Sequence, residues 1–195
     1  MSGTEQLRGF VKLSGHRPLF QPPEKYRSRD RIHAELRNVI RKVIGADKPW
    51  PLFMCGEAGS GKSCAALCMV DVFGDWYVTL AELCEMLLLS MRDQLVWSSG
   101  AKRSTADVWQ DWSRAHLAVL DEIGARSNVS DFHYESLKRA IDIREGKPAV
   151  FISNHDPAEI AVTYDDRIAS RLASGSVVEV VGDRRIGAEP LVIGR

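Results

Sequence analysis

The sequence predicts an α/β fold in which a parallel sheet carries helices on both faces, and three observations lead there. Short apolar runs alternate with longer amphipathic stretches along most of the chain, the pattern of β-α-β units whose strands are buried on both sides. One such run, Pro51-Leu52-Phe53-Met54-Cys55, leads directly into Gly56-Glu57-Ala58-Gly59-Ser60-Gly61-Lys62-Ser63 and then into the helix-forming run Cys64–Val70. Another, Leu117-Ala118-Val119-Leu120, ends in Asp121-Glu122, two carboxylates at the strand end where ligands of parallel sheets bind.

Length and composition set the frame. The chain has 195 residues, 45% of them apolar, with a formal net charge of +0; one domain with an ordinary core is expected. Neutral charge excludes a protein that engages nucleic acid through its global field, so any basic surface must be local. Met1–Gln21 has no apolar core of a secretory signal, and no run approaches the length of a membrane span, so a cytoplasmic protein without membrane contact is expected. Cys55, Cys64, Cys68 and Cys84 lack paired metal-ligand spacing and read as buried, reduced thiols.

Taken in order, residues 1–27 are polar, contain Pro18, Pro22 and Pro23, show no period, and read as an N-terminal arm. The folded domain is expected over 28–195. It opens with a helix on which Ile32, Leu36, Val39, Ile40 and Val43 recur at helical spacing before Gly45. After the strand, turn and helix at 51–74, Trp76-Tyr77-Val78 reads as a short strand. Thr79 and Glu82 have the spacing of a capping box, each side chain satisfying an orphan N–H group at a helix start. The helix they open is expected to run to about Leu95; its run Met86-Leu87-Leu88-Leu89 is core or a partner surface.

Val96–Arg103 reads as a loop with Lys102 and Arg103 adjacent. Ser104 and Asp107 then cap a short helix carrying Trp109 and Trp112. Asp131–Glu145 is amphipathic, with Phe132, Leu137 and Ile141 on its apolar side, and Gly146-Lys147-Pro148 stops it. Ala149–Ser153 is a further buried strand with Asn154 at its tip. Asp156-Pro157-Ala158-Glu159 starts another helix, proline standing at the first helical position. In Asp165–Leu172, four-residue spacing turns Ile168 and Leu172 inward and leaves Arg167 and Arg171 for solvent or for a nucleotide held by a neighbouring subunit. Val177–Val181 supplies the last of five strands.

The glycine-rich turn is the most specific signal. Glycines let successive N–H groups converge, and the following helix presents its unpaired N–H groups and positive dipole end to the same point. A polyphosphate suits that cradle, with Lys62 reaching its terminal oxygens and the Ser63 hydroxyl coordinating magnesium. At the Leu117 strand end, Asp121 can hold the metal directly or through water, and Glu122 can polarise an attacking water. Asn154 reads as a hydrogen-bonding partner of that water or of the terminal phosphate, or as a turn residue.

Together the blocks Gly-Glu-Ala-Gly-Ser-Gly-Lys-Ser, Leu-Ala-Val-Leu-Asp-Glu-Ile-Gly, Ile-Arg-Glu-Gly-Lys-Pro-Ala-Val-Phe-Ile-Ser-Asn and Asp-Arg-Ile-Ala-Ser-Arg-Leu resemble those of AAA+ ATPases. More narrowly they resemble the DnaC/IstB group, which comprises replicative-helicase loaders and the ATPase partners of insertion-sequence transposases. The resemblance spans about residues 28–181. It implies a P-loop AAA+ three-layer sandwich with a parallel five-stranded sheet. Residues Gly56 to Cys64 then match the Walker A segment, Asp121 and Glu122 Walker B, and Asn154 sensor 1. Arg171 matches an arginine finger delivered in trans, with Arg167 beside it.

The resemblance further implies ATP and Mg2+ as ligands, homo-oligomers on single-stranded DNA, and a replicative helicase or a transposase as protein partner. Two helices between the Trp76 and Leu117 strands agree with the extra helix of the initiator and loader clade. Few residues follow Val181, so a C-terminal helical lid is not expected. The short N-terminal segment does not resemble the helicase-binding domain of full-length loaders. DNA contacts would fall to a few residues such as Lys102, Arg103 and Arg126. A small-molecule kinase would need an arginine-rich lid, and a GTPase a guanine-reading Asn/Thr-Lys-x-Asp segment; neither is visible. An adaptor using ATP only as a switch stands against the presence of Glu122.

Overall fold

A computed structural model of the chain describes residues 32, 34–45, 48–73, 76–96, 100–125 and 129–182. The arm expected at 1–27 and Arg126 lie outside the described residues. The elements follow in order as α1 (Ala34–Ile44), β1 (Leu52–Cys55), α2 (Lys62–Phe73), β2 (Trp76–Thr79), α3 (Leu80–Met91) and α4 (Thr105–Arg114). After them come β3 (Ala118–Ile123), α5 (Asp131–Ile143), β4 (Ala149–Ser153), α6 (Pro157–Thr163), α7 (Asp166–Leu172) and β5 (Ser176–Glu179).

The five strands form one sheet in the order β2-β3-β4-β1-β5, and every pairing is parallel. Alternate residues along β1 to β4 feed two separate cores, while the edge strand β5 buries one face only. Phe53, Trp76, Val78, Leu120 and Phe151 face α3 to α7, while Leu52, Met54, Tyr77, Val119 and Ile152 face α1 and α2. Three layers result, and strand residues apolar on both faces are what such a sandwich demands. Strands β3 and β4 stand between β2 and β1, so the tips of β1, β3 and β4 lie side by side at the carboxyl edge, beside the turn that opens α2.

The expected caps are present. Glu82 N donates to Thr79 Oγ1 at 3.2 Å while Thr79 N donates to Glu82 Oε2 at 2.8 Å; Ser104 with Asp107 and Asp156 with Glu159 repeat the exchange at α4 and α6. The last strand covers Ser176–Glu179 rather than Val177–Val181, and two boundaries differ more from the sequence reading. Helix α3 stops at Met91 rather than near Leu95, because Asp93 adopts a left-handed backbone (φ 55°) and Gln94 N closes the turn onto Leu89 O at 2.9 Å. Leu95 keeps the apolar period only because the chain folds back and buries it. Of the run at 86–89, Met86 and Leu87 are buried; Leu88 and, beyond the run, Met91 stay exposed.

The second difference is at β3, which does not end at Leu120. It runs through Asp121 and Glu122 to Ile123, and its register against β4 shifts between Leu120 and Ile123. The irregularity coincides with a left-handed backbone at Glu122 (φ 58°), a conformation that costs a residue with a Cβ about 1–2 kcal/mol.

One buried cation stabilises the far edge of this framework. Arg144 is 1% exposed. Its guanidinium donates to Trp112 O at 3.2 Å, Ser113 O at 3.3 Å and Ala115 O at 2.8 Å, and also to Pro148 O. The first two are carbonyls of the last turn of α4, which no intrahelical N–H can reach. The indole of Trp112 answers by donating to Ala140 O at 2.9 Å, so α4, α5 and the entrance to β4 are tied at one point. Arg144→Met should cost about 3 kcal/mol or more in urea unfolding, since carbonyls stay buried with no donor. Arg167→Ala, at an exposed position, should stay within about 0.5 kcal/mol.

Candidate nucleotide site

The turn between β1 and α2 owes its shape to glycine. Gly56, Gly59 and Gly61 all have positive φ (121°, 85° and 96°), and a Cβ at Gly56 would lie 2.2 Å from Val180 O. No other residue allows the end of β1 to pass so close to the chain that leaves β5. Around this turn the main chain encloses the Lys62 ammonium. Its Nζ donates to Gly56 O at 2.7 Å, Glu57 O at 2.8 Å and Ser60 Oγ at 3.2 Å, and the residue is 4% exposed. Burial lowers the Lys62 pKa, with the charges of Asp121, Cys55 and Glu57 acting the other way.

Asp121 is 3% exposed and lies in register with Thr79 on β2. Its Oδ1 accepts from Glu122 N at 2.7 Å, and its Oδ2 accepts from the hydroxyl of Tyr77. Ser63, in the first turn of α2, lies near enough to that phenol to act on its pKa. Lys62, Ser63 and Asp121 therefore converge at one place. Tyr77, which sequence reasoning treated only as a strand residue, is bound to one of them and adjoins another. The only available signal was its position: alternation along β2 turns Tyr77 toward α2 while Trp76 and Val78 face the opposite core.

Other expected residues flank this centre. Glu122 is exposed; lost hydration, then the charges of Asp121 and Glu82, raise its pKa above the ordinary glutamate value. Asn154 is exposed just beyond β4. The β4 tip is bound to that of β3, because Ser153 Oγ donates to Ile123 O at 2.6 Å while accepting from His155 N at 2.9 Å. Glu57, Ala58 and Gly59 are exposed on the turn, Ser60 and Cys64 are buried, and Glu57 Oε2 accepts from Gly182 N at 3.3 Å. Beyond Glu122, a cavity of about 200 Å³ opens between Leu80, Gly124, His133 and Tyr164.

The arginines stand apart from the turn in their own chain. Helix α7 packs its Ile168 and Leu172 into the α3–α7 core, which leaves Arg167 exposed and Arg171 half-buried. Arg171 forms an ion pair with Asp142 of α5. Among the expected DNA-contacting residues, Lys102 is exposed, whereas Arg103 is ion-paired to Asp111.

The chemistry of these donors fits a magnesium-bound polyphosphate. A lysine ammonium held only by neutral oxygens can exchange them for anionic ones, and a hydroxyl with a neighbouring carboxylate suits a cation that keeps water and phosphate oxygens as its remaining ligands. Among the described residues there is no cluster of three or more His, Cys, Asp or Glu side chains that could hold a metal. The metal's remaining ligands would have to come from nucleotide and water.

No protein-family model matches the chain and no curated protein matches it. Solved structures do. A crystal structure of DnaI aligns at 20% identity over 83% of this chain and 94% of that one, with a TM-score of 0.61. The DnaC helicase loader aligns at 18% identity over 67% and 76%, with a TM-score of 0.53. The replication initiator DnaA bound to AMPPCP and single-stranded DNA aligns at 15% identity over 89% of this chain, with a TM-score of 0.58; this chain spans 49%, about half, of it. At such identities the likeness is one of fold. The chain shares the fold of these proteins, an α/β sandwich built on a parallel five-stranded sheet, as the sequence predicted.

The raised Glu122 pKa has a consequence for stability. A carboxyl whose pKa is higher folded than unfolded disfavours the fold once pH exceeds the ordinary glutamate range, and has no effect below it. Glu122→Gln should therefore melt at a higher temperature than the parent at pH 7. The gap should close as pH falls below the glutamate range, as read by thermal denaturation across pH.

Proposed function

We propose that this chain is an ATPase that binds ATP with Mg2+ at the Gly56–Cys64 turn and acts on DNA as a loader of a replicative helicase. The domain carrying the activity is residues 28–195, with 1–27 as an arm. The observation that carries the reading is the buried Lys62 ammonium, enclosed by main-chain oxygens of a glycine turn and close enough to Asp121 to feel its charge.

In this mechanism Lys62 leaves Gly56 O and Glu57 O for the terminal phosphates, while the turn's N–H groups and the start of α2 hold the rest of the chain of phosphates. Ser63 and Asp121 would hold the magnesium, which would neutralise phosphate charge when bound. Glu122 accepts a hydrogen bond from the attacking water and orients it, and Asn154 stands at the neighbouring strand tip to fix that water or the terminal phosphate.

Arg171, with Arg167 beside it, stabilises the charge that develops on the phosphoryl group bound by an adjoining subunit. In the single chain Asp142 holds Arg171, so assembly exchanges one carboxylate partner for a phosphate. Each site then spans two subunits, and nucleotide state becomes coupled to the geometry of a homo-oligomer on single-stranded DNA. Support for the partners comes from fold relatives, one described as a helicase loader and one solved with AMPPCP and single-stranded DNA.

Two substitutions test this. Lys62→Ala should abolish ATP binding measured by calorimetry. Arg171→Ala should leave ATP affinity within a few-fold and reduce DNA-stimulated phosphate release by about three orders of magnitude or more, the range for an arginine supplied in trans. Unchanged turnover in Arg171→Ala contradicts the shared site.

A further inference from the structure

Tyr77 is buried on β2 at 4% exposure, within the core that faces α1 and α2. A buried phenol needs a partner for its hydroxyl, and here the proton goes to Asp121 Oδ2. The second oxygen of Asp121 is taken up by Glu122 N at 2.7 Å, so the carboxylate is fixed at both ends.

This has a direct bearing on a cation at Ser63 and Asp121. A carboxylate that ligates a metal must hold a lone pair toward the ion, and one free to rotate does so only part of the time. We propose that Tyr77 is the positioning residue of the magnesium site, its hydroxyl holding the Asp121 carboxylate in the orientation a cation would need. The role rests on the nucleotide-site reading above. Tyr77 touches neither nucleotide nor metal; it acts by orienting the carboxylate that would ligate the metal, as outer partners of metal ligands generally do. Of the other β2 residues, Trp76 and Val78 face the other core, and Thr79 Oγ1 is engaged with Glu82.

Tyr77→Phe keeps the ring that fills the core and deletes the hydroxyl that holds Asp121. Binding of a fluorescent ATP analogue is measured in EDTA and across a Mg2+ titration, for the parent and for Tyr77→Phe. The expected result is unchanged affinity in EDTA and a Mg2+ concentration for half-maximal enhancement raised on the order of tenfold, the size seen when an outer partner of a metal ligand is removed. An unchanged Mg2+ midpoint, or an equal loss with and without Mg2+, overturns the proposal while leaving nucleotide binding intact. A parent chain that binds no nucleotide overturns both readings.

Should Tyr77→Phe fail to fold, 3-fluorotyrosine at position 77 of the otherwise unaltered chain gives the answer by 19F NMR. Its resonance should move when Mg2+ is added to the ATP-bound protein. A resonance that does not respond to Mg2+ contradicts the positioning role.

Discussion

A lysine ammonium sealed inside a turn of main-chain oxygens is the constraint around which the rest of this protein is arranged. An unpaired buried charge costs several kcal/mol, so Lys62 can stand at 4% exposure only because Gly56 O, Glu57 O and Ser60 Oγ surround it. The turn can surround it only because three glycines take positive φ. Its place above the sheet follows in turn from β1 lying next to β4, with β3 beyond. Those neighbours bring Asp121 close enough to act on the lysine's pKa. Neutral carbonyls are adequate partners for an ammonium and poor ones beside phosphate oxygens, which is why the same arrangement is ready to bind an anion.

Much of this was legible in the sequence because the signals are local. Strands buried on both faces leave continuous apolar runs, and capping pairs such as Thr79 with Glu82 or Ser104 with Asp107 require only three-residue spacing. The glycine turn is local too, and so is the carboxylate pair at the end of the Leu117 run. What escaped depends on contacts distant in sequence. Tyr77 and Asp121 are 44 residues apart, and nothing in Trp-Tyr-Val distinguishes a tyrosine that packs from one that donates. Arg144 in Ile-Arg-Glu-Gly looks like a solvated helix end; only the approach of α4 turns it into a buried cap for carbonyls about thirty residues away.

The boundary errors have the same origin. The apolar period through Leu95 was read as helix, but the period records burial and burial continues after the backbone has turned at Asp93. At β3 the apolar run stops at Leu120 while the strand goes on. A functional carboxylate at the end of a buried strand breaks the pattern that would otherwise identify the strand. The left-handed Glu122 is a strained position within it, and strain of that kind collects where a side chain must be aimed.

Arg171 shows how a single subunit differs from the assembly proposed for it. Its guanidinium has a carboxylate partner within its own chain, Asp142, and it lies on a helix that packs against the core facing away from the glycine turn. A trans role requires that partner to be exchanged, which makes assembly a competition between two anions for one cation. The claim beneath this, that the turn at 56–64 receives the phosphates, is tested most directly by a crystal structure of the chain with a nonhydrolysable ATP analogue and Mg2+. The account predicts Lys62 Nζ withdrawn from Gly56 O and Glu57 O and bonded to phosphate oxygens, with the metal between Ser63 and Asp121. An analogue bound elsewhere, or Lys62 still held by those carbonyls beneath a bound nucleotide, would contradict it.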